Sequence, residues 1–404
     1  MRILQLCHKP PRPAIDGGCL AMDAMTQGFL DNGAEVKVLT ASTHKHPILM
    51  DTLGERYLHS TDLEAVAIET RLDVRDAYVA LMNGESYNIS RFYAHHYAMV
   101  VKQALSKKRY DVVHLESLYT TPYIDVIRQY APNALISLRS HNHEYQIWEQ
   151  RWKASRNPLY RIILRHLSKT LERYEKEVLG KVDALVSISD REAQGYRNWG
   201  YSGPIHVAGF GIDTSAHVGG LDLPESNATG PVRMFHLGAM DWGPNREGID
   251  WFLTSVWPAL VARHPGTEFH LAGKGLDPTL YAHIPGVVNH GEVPDAEVFS
   301  TQFDLLVVPL LRGAGIRVKI VEAMAKGIPV ATTGKGVSGL DLEDRQCIVH
   351  GPPEQLGDLL DGILNQPEQL RTMSQRSREI AMERFDRKRI GRELMLFYDA
   401  HAQL

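Results

Sequence analysis

The chain has 404 residues, and at roughly 150 residues per domain that length predicts two domains, three at most. Hydrophobic residues make up 44% and charged residues 23%, which supports globular cores and excludes a disordered or collagen-like chain. Lys plus Arg number 44 against 48 Asp plus Glu, a formal net charge of −4, so there is no global positive excess, and nucleic acid is not an expected partner.

The opening MRILQLCHKPPRP has an apolar core of a few residues before its prolines. No apolar stretch reaches the ~18 residues of a membrane span, so a cytoplasmic protein is expected. Cys7, Cys19 and Cys347 are too few and scattered for a disulfide framework or a zinc site. Strands are predicted at Arg2 to Cys7, Glu35 to Thr40, Glu64 to Glu69, Asp111 to Glu116, Leu135 to Arg139, Asp183 to Ser187 and Ile205 to Val207. Most are continuous apolar runs separated by helical patterns, the signature of a parallel sheet buried on both faces. A segment rich in Gly, Ser, Pro and Asp, 210–231, reads as a linker. The alternation then resumes with Arg233 to Leu237, Glu268 to Leu271, Val287 to His290, Leu305 to Val308, Val330 to Thr332 and Ile348 to His350. The fold class is therefore α/β, with two sheets in succession: domains at 1–209 and 232–385, and a last helix, 386–404, that finishes the second domain or returns to the first.

Local charge departs from the total. Segment 151–181 holds nine Lys or Arg and three Asp or Glu, with Arg161, Arg165, Lys169 and Arg173 at i, i+4 spacing and Ile162, Ile163, Leu167, Leu171 and Val178 expected on the other side. It is either a solvated basic face or a surface for anionic lipid or an anionic acceptor; in the latter case the protein sits peripherally at the inner face of a membrane.

Four segments concentrate glycine and polar residues just past strand ends, where doubly wound sheets place their ligands. Gly17 and Gly18 precede an apolar-periodic helix, as a tight turn or as amides facing an anion. His141, Asn142, His143 and Glu144 follow the fifth strand. The i, i+2 histidines suit zinc poorly, leaving a hydrogen bond from His141 to a sugar hydroxyl or mere local capping. Gly238 permits close approach to backbone, with Asn245 and Arg246 at the next helix start. In VVPLLRGAGIRVKIVEAMAKGIPVATT, a Gly-X-Gly turn (Gly313, Gly315) and the cations Arg317 and Lys319 are arranged for a diphosphate, and Glu322 is placed to accept from ribose hydroxyls. Were Arg317 already helical, its side chain would point roughly 160° from Lys319 at about 100° per residue; both reach one phosphate only if Arg317 belongs to the turn. There is no hydrolase elbow, Walker loop or dinucleotide fingerprint. No Asp-X-Asp pair appears either, so no metal is expected and Arg317, Lys319 and helix N-termini must neutralise a leaving phosphate.

The fourth segment, with Glu322 to Ala325 and then Gly327 to Val330, resembles the donor-binding signature of family four glycosyltransferases of the GT-B fold. The similarity is collinear through Gly17-Gly18, His141-Asn142 with Glu144, Ser187 to Ser189, Gly211 to Asp213, Gly238 with Pro244-Asn245, Gly273-Lys274-Gly275, Gly291-Glu292-Val293 and Gly334 to Leu340. The resemblance implies two Rossmann-like domains with a cleft between them and a final helix crossing back to the first. It implies retaining, metal-independent transfer of a sugar from a nucleotide-diphosphate sugar, a substrate rather than a cofactor, to a hydroxyl of a glycan or lipid-linked saccharide. By that resemblance Glu322 binds ribose, Gly313, Gly315 and the turn amides the diphosphate, and His141 the transferred sugar. Gly17 and Gly18 meet the phosphate, Gly238, Asn245, Gly273, Lys274 and Val293 belong to the donor side, and Asn142 and Glu144 to the acceptor side. Two positions depart from the family. Ala314 stands where many members have a glutamate, and Ala239-Met240 and Pro244-Asn245 stand where many have an Arg and a Lys; Arg317 and Lys319 resemble the substitute cations of a subgroup with a Gly-X-Gly-X-Arg-X-Lys turn. The alternatives are a nucleotide-sugar epimerase, which needs a carboxylate pair, and a sugar-nucleotide-binding module without catalysis, which Ala314 permits.

Overall fold

A computed structural model of the chain describes residues 1–215, 231–313, 317–340, 342 and 347–402. The chain forms two compact units, Met1–Gly211 with Arg387–Leu404, and Ile212–Asp386. Of the segment expected as a linker, 216–230 lie outside the described residues.

The first unit holds β1 (Arg2–Cys7), β2 (Glu35–Ser42), β3 (Glu64–Ala67), β4 (Val112–Glu116), β5 (Leu135–Ser140), β6 (Ala184–Ser187) and β7 (Ile205–Val207). They pair in parallel in the order β3-β2-β1-β4-β5-β6-β7. Successive side chains point to opposite faces, and both faces are covered. Leu4, Leu6, Val113, Leu115, Ile136 and Leu138 join one core, while Ile3, Cys7, Val36, Val38, Val112 and Val186 join another. Burial on both faces is why these strands read as unbroken apolar runs.

The second unit holds β8 (Arg233–Leu237), β9 (Glu268–Ala272), β10 (Val287–Asn289), β11 (Leu305–Val308), β12 (Val330–Thr333) and β13 (Ile348–Gly351), all parallel, in the order β10-β9-β8-β11-β12-β13. That is the order of a dinucleotide-binding sheet, with its switch point between β8 and β11; in the first sheet the corresponding point lies between β1 and β4. All thirteen predicted strands are present, with ends shifted by at most two residues.

The last helix, Arg387–His401, packs on the first unit. Its Ile390, Leu394 and Tyr398 are buried with Met22, Met25 and Phe29 of the helix Gly17–Asp31. The two helices cross where both are glycine: a Cβ on Gly391 would come within 2.3 Å of the Gly28 carbonyl oxygen.

The basic segment is corrected in two respects. It is broken into the helices Glu144–Ala154 and Pro158–Val178, with Asn157 capping the second through its side chain. The buried stripe of the longer helix is Leu164, Ser168, Leu171, Glu175 and Val178; Leu171 and Val178 are buried as expected, but Ile162 and Ile163 are 66% and 55% exposed. A buried serine and a buried glutamate had made the inward face look polar.

Candidate active site

In the second unit the loops after β8, β9 and β10 are stitched by backbone bonds: Gly238 N to Ala272 O at 3.0 Å, Gly273 N to Gly291 O at 2.9 Å and Met240 N to Lys274 O at 2.8 Å. Gly273 has φ +151°, and a Cβ there would sit 1.9 Å from the Gly238 carbonyl oxygen, so only glycine lets these two loops meet. Lys274 is exposed and Val293 half-buried at the rim of the same loops.

Gly238 is the floor of a small polar convergence. A Cβ built on it would lie 2.4 Å from Lys319 Nζ, 2.8 Å from Asn245 Nδ2 and 3.0 Å from His236 Nε2. Lys319 Nζ donates to Asn245 Oδ1 at 3.3 Å, and Asn245 Nδ2 donates to the Ala239 carbonyl at 2.9 Å. The buried His236 donates from Nδ1 to the Val307 carbonyl at 2.8 Å, so its Nε2, which has no hydrogen-bond partner among the described residues, presents a lone pair. Burial and nearby Lys319 hold that ring well below the usual histidine range, hence neutral. Desolvation, with Arg317 as a second cation, pushes Lys319 down to about 7 against the opposing pull of Glu322.

Arg317 is the residue before the helix Val318–Ala325, with φ −90° and ψ 87°. It therefore belongs to the turn, the condition under which it and Lys319 share one phosphate. Its guanidinium is buried 5.3 Å from the Trp242 ring centre, beside Gly313. Gly315 and Ala314 lie outside the described residues. Glu322, one turn into the helix, is exposed and makes no side-chain hydrogen bond among the described residues. It is not paired with Lys326, whose Nζ lies 3.5 Å from Glu297 Oε1.

In the first unit, Gly17 and Gly18 open their helix behind Asp16. Asp16 accepts from Cys19 N at 2.9 Å and binds Lys9 Nζ at 2.7 Å and His46 Nε2 at 3.1 Å, so this helix start already holds one internal carboxylate. His141, Asn142 and Glu144 follow β5. Glu144 accepts from the Tyr119 hydroxyl at 2.9 Å, and its backbone N–H donates to the buried Glu175 at 3.2 Å. Burial and neighbouring Glu144 push Glu175 up to about 8, so near neutral pH it is largely protonated. His143 is not a ligand candidate: it is buried against Tyr196 and Trp199, at 4.3 and 4.7 Å between ring centres.

Two residues to which the sequence reading gave no role, Glu116 and Arg139, stand at the ends of β4 and β5, beside the first sheet's switch point. The one signal available was a charged residue closing each of two otherwise apolar strands, VVHLE and LISLR. Glu116 accepts from Arg139 and from His141, the latter at 3.1 Å.

Residues 231–366 match the family model described as Glycosyl transferases group 1. A curated relative, an uncharacterized 44.6 kDa protein in the cps region of Klebsiella pneumoniae, is 22% identical over 369 residues, 88% of each chain. Among solved structures, sucrose-phosphate synthase from Thermosynechococcus elongatus superposes with a TM-score of 0.64 at 17% identity, covering 99% of both chains. Alr3699/HepE from Anabaena, in complex with UDP, gives 0.65 at 14% identity, covering 99% of this chain and 100% of its own. At these identities the structural likeness speaks for the fold, two Rossmann-like domains of GT-B type, and the family match speaks for the chemistry of the second. The match to the glycosyl transferase group 1 model over residues 231–366, together with the two-domain fold, supports a glycosyltransferase.

Proposed function

We propose that the protein transfers a sugar, with retention and without a metal ion, from a nucleotide-diphosphate sugar to a hydroxyl of a glycan or lipid-linked saccharide. The observation that carries this is the convergence of Lys319, Asn245 and His236 about Gly238 at the switch point of the second sheet, with Arg317 in the turn that precedes the helix of Lys319. A diphosphate there meets two cations and exposed backbone, and the exposed Glu322 is free to accept both ribose hydroxyls. Complexes of Anabaena Alr3699/HepE with UDP and with UDP-glucose support a donor of this class. In this reading Gly313, Gly315, Gly273, Lys274 and Val293 frame the nucleotide, and Gly17 and Gly18 contribute amides to the phosphate. His141 meets the transferred sugar, with Asn142 and Glu144 on the acceptor side.

No carboxylate is assigned as nucleophile. The anomeric carbon–phosphate oxygen bond breaks through an oxocarbenium-like transition state, Arg317 and Lys319 stabilise the departing phosphate, and that phosphate takes the proton of the acceptor hydroxyl as the new glycosidic bond forms on the same face. A thermal-shift panel of UDP-, GDP- and ADP-sugars should reveal the donor, since a ligand at 100 times its Kd stabilises by about 2.7 kcal/mol. Product NMR should then show the donor's anomeric configuration retained in the presence of EDTA. Inversion, or trapping of a covalent glycosyl-enzyme, rejects the mechanism.

The same proposal places the protein in the cytoplasm, with peripheral contact to anionic membrane through 151–181. Arg156, Arg161 and Arg165 there surround Leu159, Tyr160, Ile162 and Ile163, which are 55% to 73% exposed. No helix among the described residues is long and apolar enough to cross a membrane.

A further inference from the structure

Glu116 is fully buried, and four side chains aim hydrogen-bond donors at its carboxylate. Oε1 accepts from Gln5 Nε2 at 3.0 Å, His114 Nε2 at 3.2 Å and Arg139 Nη1 at 3.2 Å. Oε2 accepts from His141 Nε2 at 3.1 Å and from the same Arg139 nitrogen at 3.2 Å. Burial alone would raise its pKa, but Arg139, His114 and His141 overcome that and hold the carboxyl well below the usual range. An ionised carboxylate can only accept, so His141 must carry its proton on Nε2. Desolvation, with Arg139 nearby, lowers the affinity of the His141 ring for a second proton, against the pull of Glu116. Its Nδ1 is then a bare lone pair. Among the described residues Nδ1 has no hydrogen-bond partner, and the side chain is 17% exposed.

The far side of this network is held by the returning C-terminal helix. The Tyr398 hydroxyl lies 2.6 Å from His114 Nδ1 and 3.0 Å from Ser137 Oγ, all buried. Thr26 fixes Gln5 by donating to its Oε1 at 2.8 Å. Gln5 and His114 are thus each oriented toward Glu116 by a second group, as in the outer shells that set histidine tautomers elsewhere.

We infer that Glu116 is a positioning residue that fixes His141 in the Nε2–H form, so that His141 offers its ligand only an acceptor and the group it receives is a hydroxyl donor of the transferred sugar, not a phosphate or carboxylate oxygen. The nature of the ligand rests on the sugar-transfer reading; the tautomer does not.

The test is long-range ¹⁵N–¹H NMR of the full chain labelled at histidine, with His141 assigned by comparison with His141→Asn. The expected wild-type pattern is Nε2–H. In Glu116→Gln the amide oxygen should occupy the position where three donors meet, turning its NH₂ toward His141 and switching that ring to Nδ1–H. Tyr398→Phe, which keeps the carboxylate, should retain the wild-type pattern. Once a donor is known, Glu116→Gln should lower kcat by roughly 10²-fold, the cost of one misplaced transition-state hydrogen bond, with KM for the donor within about twofold. It should also erase the wild-type discrimination against the donor analogue lacking the recognised hydroxyl. An Nδ1–H pattern in the wild type, or a pattern unmoved by Glu116→Gln, overturns the inference. Should Glu116→Gln not fold, Glu116→Asp, whose oxygens are withdrawn by one methylene, should give mixed tautomers, and an unmixed wild-type pattern there counts against it equally. A wild-type protein inert toward every nucleotide sugar rejects the transfer reading and leaves the tautomer result to stand alone.

Discussion

The chemistry of Lys319 is set by its surroundings. With a pKa of about 7 in place of 10.5, it is only half-charged near neutrality, and a bound diphosphate should restore its proton. Donor binding at pH 8 should therefore take up protons, seen calorimetrically as a heat that varies with the buffer's ionisation enthalpy; Lys319→Met should abolish that variation. The sign for stability follows from the same shift. Between about 7 and 10.5 the unfolded chain binds the proton that the folded chain lacks, so stability rises with pH across that window and the penalty of the buried charge is complete below it. Lys319→Met should accordingly stabilise the protein most below pH 7, with the gain fading toward pH 10.5, as measured by denaturant titration. For transfer, Lys319→Ala and Arg317→Ala should each cost more than tenfold, about 1.4 kcal/mol; activity surviving within that factor means the cations do not hold the leaving phosphate.

At the level of elements, two close approaches depend on glycine and serve different ends. Gly238→Ala would push a methyl into the space shared by Lys319, Asn245 and His236. The strand beneath is buried and regular, so the expected outcome is a normal melting temperature with the donor-induced shift lost. Gly391→Ala instead meets backbone, the Gly28 carbonyl of the opposing helix, which cannot rotate away. Separating the two helices should cost about 1–3 kcal/mol by overpacking, visible as a lower melting temperature. The helix Pro158–Val178 shows where element-level reading stops. Helical periodicity and the Asn157-Pro158 start are plain in the sequence, but its inward face is marked by Ser168 and Glu175. Their burial follows from partners distant along the chain: Ser168 Oγ donates to the Tyr145 carbonyl at 3.2 Å, and Glu175 accepts from the backbone N–H groups of Glu144 and Tyr145 and from the Tyr196 hydroxyl.

On the scale of the whole molecule, the last eighteen residues belong to the unit formed by the first 211. A chain ending at Asp386 should lose the buried Leu394 and Tyr398 from the core of that unit, and hydrogen exchange should report loosening of the helix Gly17–Asp31 while the second sheet keeps its protection. Membrane contact, if made through 151–181, should appear as sedimentation with anionic but not zwitterionic vesicles, weakening as salt screens it. Much of this architecture was open to reading in the sequence. Strands buried on both faces are unbroken apolar runs, and the glycines at 238, 273 and 313 mark turns just past such runs, because parallel sheets place both signals locally. Pairing order and the ring of donors on Glu116 were not, since they join residues of separate elements, as far as 111 positions apart for Gln5 and Glu116; the return of Arg387–His401 to the first unit was implied by the family resemblance and not by local pattern. The sequence by itself determined two α/β sheets and a cationic turn in the second, for hydrophobic period and turn chemistry are written in neighbouring residues. Only the tertiary structure decided which groups are dehydrated together, and it is that shared dehydration which makes Lys319 titrate near neutrality and leaves His141 an acceptor.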